Sequence, residues 1–259
     1  MIPSLSTTLV LARNVFKEQI RIRAFQLILI FGGGALYAAL LLGALAVDQE
    51  IRVLLDFGLG FMELMALIVA IFGAATSILK EIELKTIYLI LSRPVTRTEY
   101  LLGRYLGLIL TVFLSMLAMS LLHLSILFLK GWPWNPLYPL LVLLSYLKIC
   151  VIAALGTLLA MLSTSILSAI SLTFIFWTLG HFLTEVRFLI QKSQGIVVWF
   201  LKPLSFLIPN LQIFNLRDRW EAISQMTPLS TLNLSLSYTL LYSSACLFLA
   251  QWLLRRKEF

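Results

Sequence analysis

Charged residues are scarce in this sequence. Only 12% of its 259 residues are Asp, Glu, Lys or Arg, whereas 60% are hydrophobic and the mean hydropathy is +0.97. A water-soluble domain needs a polar surface, so this composition excludes one and indicates an integral membrane protein. Hydrophobic runs take up most of the chain, which leaves no room for a separate soluble catalytic domain.

Motifs for catalysis and nucleotide binding are also missing. The glycines at 32–34 lack the Gly-Lys-Ser/Thr ending that places a lysine on phosphates, and no HExxH, CxxC or Gly-x-Ser-x-Gly pattern occurs. The two cysteines, Cys150 and Cys246, lie inside apolar runs without a His or Cys neighbour at metal-ligand spacing. We therefore expect no catalytic site, metal site or cofactor in this chain.

Long apolar runs are what the sequence does contain. A helix needs about 20 apolar residues to cross about 30 Å of hydrocarbon. By this measure the sequence predicts six spans, at 24–47, 54–79, 100–129, 137–162, 166–183 and 231–254. The fold class is all-α, a single transmembrane domain over 1–259.

Basic residues fall mainly on one side of these spans. Arg52 and Lys130 lie in short loops on the other side, and five more basic residues are spread over a long segment there. The positive-inside rule then places both termini in the cytoplasm and explains the net charge of +8 without nucleic acid. The cytoplasmic set is Arg13, Lys17, Arg21, Arg23, Lys80, Lys85, Arg93, Arg97, Arg104, Arg255, Arg256 and Lys257.

Residues 1–23 precede the first span as an amphipathic helix. Arg13, Lys17 and Arg21 follow one another at a spacing of four, beside a separate apolar stripe. We expect this helix to lie on the cytoplasmic leaflet, either as a basic interfacial anchor or as a helix that also contacts a cytoplasmic partner. The apolar stripe consists of Leu5, Leu9, Ala12, Phe16 and Ile20.

Residues 80–99 form a charged, proline-broken segment between spans two and three. An apolar turn at 86–91 lies between charges, and Pro94 breaks the helix at Arg93. Thr96 or Thr98 can cap the next helix, which has Glu99 in its first turn. Gly103 and Gly107 lie four residues apart along that helix, a spacing that allows close helix packing.

This segment resembles the permease subunits of type-2 ABC exporters, the ABC-2 permease family. The resemblance is carried by Glu81, Thr86, the apolar turn, Arg93-Pro94-Val95, Thr96-Arg97, Gly103-Arg104 and Gly107. The six spans, the interfacial N-terminal helix and the long external segment agree with the family plan. At Lys85 the family more often has Gly.

The resemblance implies a cytoplasmic coupling helix that docks onto an ATP-binding subunit. In that interface the apolar turn acts as an anchor and the flanking charges fix its orientation. The residues concerned are Glu81, Glu83, Thr86, Leu89, Leu91, Arg93, Pro94 and Arg97. A plain solvated loop is the alternative reading.

The resemblance further implies an exporter in the inner membrane of a prokaryote. It would contain two ATPase subunits that bind ATP and Mg, a second permease copy and membrane lipids, and it allows an extracytoplasmic protein as a further partner. The substrate is not indicated. The alternative is a non-transporting membrane anchor that couples ATP hydrolysis to an extracytoplasmic assembly.

Two charges lie inside predicted spans, where charges are costly. Glu63 and Lys148 are at similar depths, roughly 14 to 17 Å from the external face at 1.5 Å per residue, so they can pair. They are candidates for a polar pathway or a conformational latch, or else form a structural ion pair. We expect His123 and His181 to be hydrogen-bonded or interfacial rather than ligands.

Residues 184–230 are the least regular part of the sequence. Gly195, Pro203 and Pro209 interrupt an apolar periodicity. This pattern predicts short external helices that lie in the outer leaflet or re-enter it.

Overall fold

The computed structural model describes residues 5–45, 49–85, 95–192, 198, 199, 202, 205, 207–216 and 228–256. These residues form helices and contain no strand. The helices are α1 (Leu5–Arg21), α2 (Arg23–Leu45), α3 (Glu50–Glu83), α4 (Arg97–Leu129), α5 (Leu137–Leu162), α6 (Ile166–His181), α7 (Leu183–Lys192) and α8 (Pro228–Arg256), with a 3-10 helix at Leu211–Phe214.

Four of the described helices are long and apolar enough to cross a membrane. They are α3, α4, α5 and the part of α8 from Ser230 to Arg256, which correspond to four of the predicted spans. Helices α6 and α7 meet at a bend of 63° and make a fifth span if they are counted as one. Helix α2 contributes a shorter apolar stretch, Leu29–Ala38, so the count of six spans stays a prediction.

Helix α5 lies at the centre of the bundle and is buried along most of its length. Its small residues allow the neighbouring helices to approach closely. A Cβ atom added at Gly156 would lie 3.1 Å from the Cβ of Ala74 on α3 and 3.3 Å from Cγ2 of Thr173 on α6. This close packing makes α3, α5 and α6 one core, which α8 completes on another side of α5.

Helix α1 packs along the first half of α4. A Cβ atom added at Gly103 would lie 2.6 Å from the Cβ of Leu11, and one added at Gly107 would lie 2.6 Å from the carbonyl oxygen of Ala12. No side chain fits in these spaces, so the two glycines bring the backbones of α1 and α4 together.

Helix α1 has one face against the bundle and one face that is exposed. The face against the bundle contains Thr8, Ala12, Val15 and Gln19, all buried. Leu9, from the apolar stripe noted in the sequence, is 57% exposed and faces away from α4. The predicted apolar stripe therefore coincides only in part with the packed face: Ala12 is buried, Phe16 and Ile20 are partly buried, and Leu9 is exposed.

The end of α3 has a backbone conformation that favours glycine at position 85, where this chain has a lysine. Lys85 adopts a φ of 57°, the left-handed conformation that glycine adopts without strain. Its amide donates to the carbonyl of Ile82 at 3.1 Å, which closes the last turn of α3. The helix therefore ends before residue 86, and the predicted break at Arg93-Pro94 lies outside the described residues.

Candidate functional site

A charged cluster joins three helices at one end of the bundle, here called the α1 end. Arg104 on α4 pairs through Nη2 with Glu81 at the end of α3, and its Nη1 lies 3.4 Å from Oε2 of Glu18 on α1. The hydroxyl of Tyr100 donates to Oε2 of Glu81 at 2.5 Å. Arg104 is 7% exposed and Tyr100 is fully buried. Between them these side chains tie the end of α3 to both α1 and α4.

The first turn of α4 is fixed at the same end. Thr96 and Glu99 form a reciprocal capping box, as the sequence suggested for this threonine. The Arg97 guanidinium donates to the carbonyl of Leu254 at 2.7 Å, and the Gln251 amide donates to the hydroxyl of Thr98 at 2.7 Å. These bonds attach the start of α4 to the last turns of α8.

The structure describes three of the residues predicted to contact an ATPase subunit. Glu81 is paired with Arg104, Glu83 is exposed, and Arg97 is partly buried and donates to the carbonyl of Leu254. The described residues before this segment, Glu83 to Lys85, are exposed, whereas the residues after it begin a capped helix that is attached to α8. The other five predicted contact residues, Thr86, Leu89, Leu91, Arg93 and Pro94, lie outside the described residues.

A second polar cluster lies inside the bundle. The Lys148 ammonium on α5 is 2.6 Å from Oε1 of Glu63 on α3, and Lys148 is only 2% exposed. It also donates to Oδ1 of Asn215 at 2.8 Å, immediately after the 3-10 helix. The two charges noted in the sequence are thus paired, and Lys148 also binds the residue that follows the 3-10 helix.

His181 and Gln212 extend this second cluster to α6. Nε2 of His181 lies 3.8 Å from Oε1 of Glu63, and Nδ1 contacts the carbonyl of Trp177 at 2.9 Å. The Gln212 amide donates to the carbonyl of His181 at 2.5 Å, and the Asn215 amide donates to Oε1 of Gln212 at 3.3 Å. The cluster therefore links α3, α5, α6 and the 3-10 helix.

Sequence reasoning treated His181 as a lone residue and did not connect Gln212 or Asn215 with the charged pair. The available signal was weak, since a histidine at a helix end and two amides after Pro209 have many possible partners. His123, the other histidine, contacts the Tyr138 hydroxyl at 3.0 Å and the carbonyl of Leu54 at 3.2 Å. Within the part of the chain that the structure describes, no group of three or more His, Cys, Asp or Glu side chains could hold a metal ion.

The long apolar helices are those of a multi-pass membrane protein. The chain belongs to the ABC-2 family: the family model for ABC-2 family transporter proteins matches residues 45–252. Members of this family are the membrane subunits of ABC transporters, which in general work with an ATPase. The resemblance seen around residues 81–107 is confirmed by this match. A comparison with curated proteins finds no match.

Proposed function

We propose that this chain is the permease subunit of an ATP-driven exporter. It moves a substrate out of the cytoplasm or the inner leaflet with energy from a separate ATPase subunit. The single observation that supports this most is the cluster at the α1 end. Arg104 connects the helix that enters the segment 86–94 with the helix that leaves it, and also with α1.

The segment 81–97 is the docking element in this proposal. Its apolar turn, with Leu89 and Leu91, inserts into a groove of the ATPase, and Glu83 and Arg93 supply charges around it. A displacement of this segment moves α3 through Glu81 and α4 through its capped first turn. Because Arg97 also binds the end of α8, the displacement reaches three spans together.

The second cluster, inside the bundle, supports a conformational role. Glu63, Lys148 and Asn215 join two spans and the 3-10 helix through contacts that an apolar environment strengthens. Separating the 3-10 helix from α5 would remove the Asn215 partner of a buried lysine. In our proposal this cluster is the latch that holds the external side closed until the spans move.

The assembly we propose contains two copies of this permease and two ATPase subunits in the inner membrane of a prokaryote. Both termini and the segment 81–97 face the cytoplasm, in agreement with the positive-inside rule. ATP and Mg bind to the ATPase subunits. An extracytoplasmic protein can contact the segment 184–230.

A non-transporting anchor that drives an extracytoplasmic assembly is the second candidate. It would use the same docking element and the same clusters. Substrate-stimulated ATPase activity with vectorial movement in proteoliposomes favours the exporter. ATPase activity that responds only to an extracytoplasmic partner, without movement of solute or lipid, favours the anchor.

Docking is tested by co-purification with the ATP-binding subunit from the native membrane. Leu89→Asp should abolish co-purification, because a carboxylate cannot enter an apolar groove without a partner. Leu129→Asp is a matched control, since Leu129 is 87% exposed at the opposite end of α4. Undiminished co-purification of the Leu89→Asp protein, with an unchanged melting temperature, would show that this turn is not the docking element.

A further inference from the structure

A groove lies between α1, α2 and α3 at the α1 end and has a volume of about 460 Å³. Its apolar part is formed by Ile22 and Phe25 from the α1–α2 region and by Ile68 and Phe72 from α3. Phe72 is 49% exposed, so the groove is open along one side. A volume of this size is in the range of ligand pockets.

The α3 wall of the groove changes from apolar to charged along its length. Ile68, Phe72, Thr76 and Lys80 are spaced four residues apart and therefore share one face of the helix. Ile68 and Lys80 are about 18 Å apart along the axis at about 1.5 Å per residue. Half of a hydrocarbon core measures about 15 Å, so the wall matches one leaflet in length.

Cationic side chains lie at the charged end of this groove and in the cavity beside it. Lys80 lines the groove itself. Lys17 and Arg21 on α1 line a neighbouring cavity of about 450 Å³, which shares Glu18 and Ile22 with the groove. Among the described residues, none of Lys17, Arg21 and Lys80 has an ion-pair partner. Glu18, the acidic residue between them, faces Arg104 at 3.4 Å. Positive charge thus remains available at one end of an apolar groove.

We propose that the groove binds one anionic phospholipid. The headgroup phosphate contacts Lys17, Arg21 and Lys80, and an acyl chain lies along Phe72 and Ile68. Two features together select this ligand class. Basic residues near a membrane surface attract anionic lipids, and the apolar wall accepts a chain that a free phosphate lacks.

The position of the groove connects it with the cluster at the α1 end. Glu18 lines the groove and also contacts Arg104. A bound headgroup would therefore sit beside the residues that join α1, α3 and α4. The lipid site itself does not depend on an ATPase partner, and its test needs only the purified full chain.

The test is a titration of the delipidated protein, in zwitterionic detergent, with dioleoyl phosphatidylglycerol while the melting temperature is followed. We expect a saturable rise that neither phosphatidylcholine nor inorganic phosphate produces. The double variant Lys17→Gln, Lys80→Gln should raise the half-saturating concentration by roughly 25-fold, about fivefold for each lost cation near an anionic lipid. Thr76→Trp, which fills the groove, should abolish the saturable response.

The matched control is the double variant Arg13→Gln, Arg255→Gln. It removes two exposed cations from the same end of the bundle, and neither of them lines the groove or the neighbouring cavity that contains Lys17 and Arg21. An equal loss of response in this control would show diffuse attraction rather than a site. A response to inorganic phosphate would indicate an anion site without a lipid, and an equal response to phosphatidylcholine would indicate apolar binding alone; either would overturn the proposal. Helix content by circular dichroism and a monodisperse elution profile establish that each variant is folded.

Discussion

Nζ of Lys148 lies 2.6 Å from Oε1 of Glu63, between the apolar middle parts of α3 and α5. An isolated charge in this place would be costly, because the surroundings cannot replace its hydration. The pair and its Asn215 neighbour satisfy each other instead. This arrangement makes the stability of the bundle depend on both charges being present together.

Removing one of these charges should be more damaging than removing both. Lys148→Met leaves Glu63 buried without its partner and should lower the free energy of unfolding by about 3–5 kcal/mol. The double variant Lys148→Met, Glu63→Gln should recover part of this loss. Thermal unfolding in detergent measures both effects.

The control for that experiment is Lys130→Met at the other ion pair. Lys130 contacts Glu50 at 2.5 Å, but both side chains are 36% exposed. Loss of such a surface pair should change stability by less than about 1 kcal/mol. A double variant as unstable as Lys148→Met alone would contradict the interpretation that the two charges compensate each other.

The contact of Asn215 should keep the 3-10 helix against the bundle. Asn215→Ala removes the bond to Lys148 and should expose Phe214, which is only 4% exposed in the structure. Maleimide labelling of Phe214→Cys, in a chain whose two native cysteines are replaced by alanine, should then become several-fold faster. Ser205→Ala is the control, because its hydroxyl contacts only the carbonyl of Lys202. Equal labelling rates in the Asn215→Ala and Ser205→Ala backgrounds would contradict the proposal that Asn215 keeps the 3-10 helix against the bundle.

The substitutions Gly107→Ala and Gly34→Ala should change the stability of the protein in opposite directions. A Cβ at Gly107 meets the carbonyl oxygen of Ala12 at 2.6 Å and should destabilise the protein by about 1–3 kcal/mol through overpacking. A Cβ at Gly34 has no atom within 4 Å, so this substitution should gain up to about 1 kcal/mol of helix propensity. Thermal unfolding in detergent shows whether each variant is less or more stable than the original protein.

Limited trypsin digestion adds a local readout for the same pair of variants. Gly107→Ala should speed cleavage at Arg13 and Lys17, because α1 is pushed away from α4. Gly34→Ala should leave cleavage there unchanged. If both variants behave alike, the glycine contacts do not hold α1 in place.

Lys85→Gly should stabilise the protein. The left-handed conformation costs an ordinary residue about 1–2 kcal/mol, part of which the greater freedom of glycine in the unfolded chain offsets. We expect a net gain of roughly 1 kcal/mol, seen as a higher melting temperature. Lys85→Ala keeps the strain and should show no gain. A similar gain in both variants would mean that the lysine side chain, rather than its backbone, is unfavourable.

Several features of the fold were predictable from local sequence. The spans containing Glu63 and Lys148 follow from continuous apolar runs. The sequence also predicted a cap at Thr96 or Thr98, and the structure has it at Thr96. The face of α1 that packs on α4 was not predictable in this way. Thr8 and Gln19 are polar and nevertheless buried, because Gly103 lets α1 approach α4 at Thr8 and Gly73 on α3 leaves room for Gln19.

The sequence by itself determined that this protein lies in a membrane, where four of its spans lie and to which family the chain belongs. These properties depend on composition and on short motifs, and each can be recognised within one segment. Only the tertiary structure decided that Arg104 lies between Glu18 and Glu81, and that Asn215 and His181 join Glu63 and Lys148. Helical periodicity shows which residues share a face, but the neighbour that each face meets depends on the packing of the whole bundle.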